Sequence, residues 1–286
     1  MTNAIEVNHL TKSYGSFKLD DVSFTVPGGT IMGLIGENGA GKSTTIKCIL
    51  NLIRRDSGEI RVLGMDNIRD ERAIKERIGV VLDESTFHDT LRARDVAGIL
   101  RRIYKSWDTA LFNQYLEKFA LPGDQSIKQY SRGMRMKLSI AAALASRPKL
   151  LILDEATGGL DPVVRNEILD EFLEFIQDEE HAILISSHIT SDLERVADYV
   201  TYLHRGRVAI TGAKDELLET HGRLVCTREQ LEQVDPAYIV GKRVSQFSCE
   251  ALIRDKEEFC FRWPKLTVDP VTLEEIMLFT VKGDEQ

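Results

Sequence analysis

The stretch Gly36-Glu37-Asn38-Gly39-Ala40-Gly41-Lys42-Ser43 sets glycines, a lysine and a hydroxyl in the spacing G-x-x-x-x-G-K-[ST]. Glycines allow successive backbone N–H groups to converge on phosphate oxygens, and a helix starting at the lysine adds the partial positive charge of its N-terminus. In such a loop Gly36, Asn38, Gly39, Ala40, Gly41 and Thr44 line the cradle, Lys42 reaches the β- and γ-phosphates of ATP, and Ser43 ligates Mg²⁺. A second group closes the apolar run Leu150-Leu151-Ile152-Leu153 with the acids Asp154 and Glu155. A buried strand ending this way delivers carboxylates to the C-terminal edge of a sheet, where ligands collect in open α/β folds. There Asp154 suits the Mg²⁺ shell, and Glu155 suits a base or orienting group for an attacking water. Each pattern alone has an ordinary reading, a glycine turn or a strand ending in solvated acids. Together, with an apolar strand before the loop and a helix after it, they point to MgATP.

The elements that must hold these groups are legible in the apolar patterning. Ile5 to Val26 reads as short alternating strands ending in the turn Val26-Pro27-Gly28-Gly29, and Thr30 to Ile35 as a buried strand entering the glycine loop. A helix follows from about Lys42. Leu91 to Leu121 carries Leu100, Ile103, Tyr104, Leu111, Tyr115, Leu116 and Phe119 at helical spacing, and Pro122-Gly123 ends the run. A further helix is expected from about Met134 to Ala145, then strands at Leu150–Leu153 and Ala182–Ile185 with a helical segment between them. Strands separated by helices imply a parallel sheet with crossover connections. The hairpin Val200–Leu203, Arg205-Gly206, Arg207–Ile210 closes this unit, so a first domain is expected over residues 1–214. Residues 215–286 read as a small α+β accessory domain with short strands and one late helix, opened by the capping box Thr272-Leu273-Glu274-Glu275.

Further motifs give the first three quarters of the chain a family resemblance. It resembles the ATP-binding subunits of ABC transporters. Tyr130-Ser131-Arg132-Gly133-Met134 lies where that family carries its LSGGQ signature, and Gly158-Gly159-Leu160-Asp161 is similar to its D-loop. Ser186-Ser187-His188 resembles its switch histidine, and Tyr14 in Lys12-Ser13-Tyr14-Gly15 resembles the aromatic that stacks on adenine. The resemblance implies a P-loop core with a mixed sheet, an antiparallel β subdomain and a helical subdomain at about residues 84–145. It also implies two chains, identical or closely related, closing head to tail over two nucleotides. Ser131 and the N–H of Gly133 would meet the γ-phosphate of the opposite subunit, Asp161 would link the sites, and Glu155, His188 and Lys42 would carry catalysis. Two departures stand out. Arg132 and Met134 replace glycine and glutamine of the signature, and Asp83 stands where a glutamine that assists Mg²⁺ is usual. The ending Leu273-Glu274-Glu275-Ile276-Met277-Leu278-Phe279 and the short helical region resemble the ABC-2 type exporters, some of which move peptides or antibiotics.

Composition bounds what else the chain does. Its 286 residues carry 37 Lys and Arg against 45 Asp and Glu, a formal net charge of −8, which disfavours nucleic acid as a partner. Cys48, Cys226, Cys249 and Cys260 show no metal-ligand spacing and read as reduced thiols. The start Met1-Thr2-Asn3-Ala4-Ile5-Glu6 lacks the features of a signal peptide, and no apolar run reaches the length of a spanning helix. A transport path must therefore come from a separate membrane permease, with this chain peripheral on the cytoplasmic face. The rival readings are a soluble ABC-type ATPase acting on chromosomes or ribosomes, and a non-catalytic nucleotide-dependent regulator. Fewer than a hundred residues separate Lys42 from Ser131, and the chain has a single motif set. Both facts argue against the first rival; intact Glu155 and His188 argue against the second.

Overall fold

A computed structural model describes residues 2–82, 87–245 and 248–283. The chain opens with β1 (Asn3–Tyr14) and β2 (Phe17–Pro27), a long antiparallel hairpin turning at Gly15. Ile5, Val7 and Leu10 face inward with Leu19, Val22, Phe24 and Val26. A register shift between Val7 and Leu10 keeps both apolar sets on one side. β3 (Ile31–Ile35), buried at every position, runs into the glycine loop and α1 (Lys42–Ile49). β4 (Ser57–Val62) then pairs antiparallel with β1 and carries the short β5 (Met65–Asp66), which completes a sheet of order β2-β1-β4-β5.

After α2 (Glu71–Lys75) and β6 (Ile78–Val81) comes a helical layer of α3 (Ala93–Ile103), α4 (Thr109–Lys118) and α5 (Arg132–Ala145). The single helical run expected from Leu91 to Leu121 is two helices. Tyr104 is extended, and Asp108 starts a new helix by accepting a 2.9 Å hydrogen bond from the N–H of Leu111. α5 begins two residues before the expected Met134, because the Ser131 hydroxyl caps it.

The remaining elements of the first unit alternate: β7 (Leu150–Asp154), α6 (Pro162–Phe175), β8 (Ala182–Ser187), α7 (Thr190–Val196), β9 (Tyr199–His204) and β10 (Arg207–Ala213). The central sheet has order β10-β9-β3-β8-β7-β6, parallel throughout except for the β9–β10 hairpin. Its two faces bury separate cores. Ile31, Ile35, Leu151 and Leu153 pack toward α5 and α6, whereas Met32, Leu34, Leu150 and Ile152 pack toward α1 and the β1–β2 hairpin. This is the expected α/β core with a mixed sheet, an antiparallel β layer and a helical layer.

Beyond α8 (Lys214–Thr220), β11 (Gly222–Cys226), β12 (Ile239–Val244), β13 (Cys249–Ile253) and β14 (Val268–Asp269) form an antiparallel sheet of order β12-β13-β11-β14. Here the sequence suggested one helix, and the described residues hold three α-helices: α9 (Arg228–Glu232), α10 (Lys256–Arg262) and α11 (Leu273–Gly283). The sheet has its own core of Leu224, Ala251, Ile253 and Phe259, over which Tyr238 and Trp263 pack edge to face. α11 carries the expected capping box, with Thr272 N–H donating to Glu275 and Glu275 N–H to the Thr272 hydroxyl. It crosses β12 so closely that a Cβ on Gly241 would lie 2.0 Å from the Phe279 carbonyl oxygen. Its first N–H, that of Leu273, donates to Glu194 of α7 at 2.7 Å, and the Leu273 side chain is buried in the core of the first unit. Among the described residues no helix is long and apolar enough to cross a membrane.

Candidate functional site

The glycine loop follows β3 at the C-terminal edge of the central sheet. A Cβ on Gly36 would lie 2.5 Å from the Leu203 carbonyl oxygen of β9, so only glycine fits. Gly39 and Gly41 hold φ of 85° and 111°, and a side chain on Gly41 would strike Leu19 at 2.4 Å. Ala40 ties the loop down from behind, its N–H donating to the Glu37 carbonyl and its carbonyl accepting from Gly206 N–H, both at 3.1 Å. The loop therefore delivers α1 with glycine at its cap, leaving the first-turn N–H groups to whatever anion lies in front of them. Lys42 is only 5 % exposed, donates to the Gly36 carbonyl at 2.7 Å and pairs with Glu155 Oε1 at 3.0 Å.

The acid pair comes from β7, next to β8, where Asp154 stands in register with Ser186. The hydroxyls of Ser186 and Ser43 donate to the same Asp154 Oδ1, at 2.6 and 3.1 Å. Immediately beyond, Glu155 adopts φ 52°, a left-handed conformation unusual for a non-glycine residue. Its N–H donates to the Ser186 hydroxyl at 3.1 Å. The turn aims the carboxylate back along the sheet edge, where Oε1 meets Lys42 and Oε2 lies 2.6 Å from Nδ1 of the half-exposed His188. A buried cation, a carboxylate and an imidazole thus stand in a row. Such an arrangement can hold phosphate charge at one end and take or orient a proton at the other.

Whether these oxygens suit Mg²⁺ follows from their chemistry. Ser43 Oγ and the buried Asp154 carboxylate are hard donors already 3.1 Å apart. Among the described residues no cluster of three or more His, Cys, Asp or Glu forms a protein cage. Mg²⁺ keeps few protein ligands and shares the rest of its shell with phosphates and water, so the pair fits it.

Ser131, Gly133 and Asp161 make a second group on the same chain. The Ser131 hydroxyl caps α5 by accepting from Met134 N–H at 3.2 Å. Asp161 caps α6 by accepting from Val163 and Val164 N–H. A Cβ on Gly133 would lie 3.3 Å from a Val164 methyl, so the start of α5 and the start of α6 pack as one body. Among the described residues no hydrogen bond or ion pair joins Ser131, Gly133 or Asp161 to Lys42, Ser43 or Asp154. Asp83, the remaining candidate, lies outside the described residues.

Tyr14 sits at the tip of the β1–β2 hairpin, 45 % exposed, with the Lys12 ammonium 5.1 Å from its ring centre. Its cross-strand neighbour Phe17 is the aromatic that reaches the loop, its ring edge 3.0 Å from where a Gly41 Cβ would be. Sequence reading missed Phe17, although an aromatic three residues beyond Tyr14 in a hairpin was the available signal. It also missed that Glu37 lies 2.8 Å from His204 Nδ1 and accepts from the Tyr202 hydroxyl at 3.3 Å, for which no local pattern exists. The sequence singles out Arg132 as a departure from the signature, but not its contact: its guanidinium lies against Gly159, 2.5 Å from where a Cβ would be.

Residues 19–158 match the family described as ABC transporter. The ABC transporter ATP-binding protein YtrB of Bacillus subtilis (strain 168) is 30% identical over 293 aligned positions, covering 98% of this chain and 98% of that protein. The bacitracin transport ATP-binding protein BcrA of Bacillus licheniformis is 36% identical, over 73% of this chain and 69% of its own length. A solved structure described as the ATP binding subunit of an ABC transporter superposes with a TM-score of 0.68 at 29% identity, covering 76% of this chain and 92% of that one.

Proposed function

The chain belongs to the ABC transporter family as one of its ATP-binding proteins, and from that premise we propose that it hydrolyses MgATP in a head-to-tail dimer that drives a separate membrane permease. The observation that carries the catalytic reading is the row Lys42, Glu155, His188. A γ-phosphate arriving in front of α1 takes Lys42 Nζ from Glu155, because three phosphate oxygens and the first-turn N–H groups outbid one carboxylate. Glu155, released from the lysine and still held by His188, then orients the attacking water and accepts its proton. Ser43 and Asp154 would hold Mg²⁺, which offsets phosphate charge. Gly36, Asn38, Gly39, Ala40, Gly41 and Thr44 line the phosphates, and Tyr14 and Phe17 flank the base. Asp83 is proposed as a further oxygen ligand in the position of the family's glutamine.

Ser131, Gly133 and Asp161 act across the dimer. The exposed start of the 14-residue α5 offers a dipole end and a hydroxyl to the γ-phosphate held in the partner's glycine loop. Closure of two chains therefore completes two sites. For the permease, a groove of about 760 Å³ beside the helical layer is lined by Leu50, Leu52, Ile78, Val80, Ile103 and Tyr104. Leu52 and Ile103 are more than half exposed there, a surface suited to an amphipathic segment of a membrane protein. Docking there makes the chain peripheral on the cytoplasmic face of the membrane. The likeness to a bacitracin transport protein supports export of a peptide antibiotic or a similar amphipathic molecule. We take residues 1–214 as the ATPase domain and 215–286 as an accessory domain, consistent with the latter's separate sheet and core.

The test is Glu155→Gln. This variant keeps ATP binding while phosphate release falls by about two to three orders of magnitude, the usual effect of removing one group that acts on the transition state. Phosphate release at the wild-type rate would remove Glu155 from the reaction.

A further inference from the structure

Between α11 and the loop that carries His188 lies a cavity of about 620 Å³. One wall is the edge of the nucleotide site, with Glu37, His188 and Tyr202; the other is Met277, Leu278 and Val281 of α11. Leu278 is 53 % exposed although it lies in the most apolar part of the helix. The wall is rigidly mounted, since Leu273, Ile276 and Phe279 are buried on the opposite face and the helix start is bonded to α7 through Glu194. α7 begins two residues after His188, so the accessory unit is fastened to the segment that positions the histidine.

We infer that α11 belongs to the ATP-dependent dimer interface, and that this cavity receives the start of α6 from a second copy of the chain, with the partner's Val163 as the inserted side chain. The inference rests on the head-to-tail reading proposed above. In that arrangement the body that closes over the nucleotide carries Ser131 and Asp161, and the Gly133–Val164 contact makes the start of α6 part of it. Val163, between the Asp161 cap and Val164, is 67 % exposed, more than any other large apolar side chain among the described residues of the first unit. Because Glu37 and His188 border both the nucleotide and the cavity, a body closing over one passes across the mouth of the other. Charge agrees with this placement. The cavity rim carries the exposed acids Glu37 and Glu274, and the approaching body carries the exposed Arg132 beside Gly159. An apolar side chain entering beside a cation meets an apolar wall below an acidic rim.

The experiment uses the full chain in the Glu155→Gln background, with dimerisation at saturating ATP followed by sedimentation. Val163→Lys and Leu278→Glu should each weaken the ATP-dependent dimer about tenfold or more, since each removes an apolar contact from both symmetry-related sites. Both positions are exposed in the single chain, so its ATP affinity should not change; a fluorescent nucleotide reports this and the integrity of the fold. Combining Val163→Lys with Leu278→Glu should restore most of the dimer affinity, because the two new charges face each other across the interface. Unchanged dimerisation in both single variants would overturn the inference and leave the cavity to another occupant, such as a small ligand or a permease segment. Weakening without restoration in the double variant would overturn the pairing of Val163 with α11. If the Glu155→Gln chain does not dimerise with ATP at all, the head-to-tail reading itself falls, an outcome distinct from either of these.

Discussion

The starts of α1 and α5 are two helix N-termini in one chain, and they are furnished in opposite ways. At α1 the cap is a glycine, the first lysine is buried, and its charge is met by Glu155 from the turn after a strand, more than a hundred residues away. At α5 the cap is a serine satisfied by its own helix, and both Ser131 and Arg132 are exposed. The first is a complete receptor for phosphate, with cation, dipole and displaceable counter-ion already in place. The second is half a receptor, with a dipole and a hydroxyl but no cradle. A chain that holds one whole and one half site has a built-in reason to pair with another copy.

The complete side depends most on its cation. Lys42→Ala should lower ATP affinity by about two to three orders of magnitude, the worth of two or so charge-assisted bonds to phosphate. Equilibrium binding of a fluorescent nucleotide checks it, and retained affinity would mean that the loop amides alone make the receptor. The half site is tested by complementation. Ser131→Arg chains and Lys42→Ala chains should each be inactive alone. An equimolar mixture should recover about one quarter of wild-type phosphate release, as half the dimers are mixed and each has one intact site. An inactive mixture with demonstrated heterodimers would count against a site shared between chains. The smallest effect concerns how well the α1 side is sealed. Cys48, in α1 behind the loop, is buried, and burial pushes its thiol up to about 11. At pH 8 the thiolate is therefore scarce as well as shielded, and iodoacetamide should leave Cys48 unmodified in the folded protein while ATP binding is unchanged. Mass spectrometry of the alkylated chain reads the result, and rapid labelling of Cys48 would show that α1 opens readily.

Most of the complete side was legible in the sequence because its chemistry is local. Glycine spacing specifies the loop and the apolar run before Asp154 specifies the strand, each within ten residues. The family likeness supplied the order of the remaining motifs. What escaped was set by contacts between distant segments. Phe17 is the aromatic that approaches the loop, since the hairpin register decides which one points there. The run from Leu91 to Leu121 breaks at Tyr104 because Asp108 caps a new helix and Ser106 turns to the Ser146 carbonyl. The helical spacing on either side hid that break. In the accessory unit α9 and α10 have five and seven residues, too short to leave a periodic signature. Nothing local announced that α11 would lean on α7, because that contact joins residues 79 positions apart.

The seat of the glycine loop has a consequence for how the protein is made. Gly36 rests on the Leu203 carbonyl, Ala40 is bonded to Gly206, and β3 lies between β8 and β9, all synthesised long after the loop itself. A ribosome adding about 5–20 residues per second leaves the loop without its support for many seconds after residue 43 has been joined. During that interval the emerging chain should have no grip on ATP, however abundant the nucleotide. Competence should arrive abruptly, once the turn at Arg205-Gly206 clears the exit tunnel and the sheet closes around β3. Nascent chains stalled on either side of that point would differ in nucleotide retention by an all-or-none step, although the phosphate motif is complete in both.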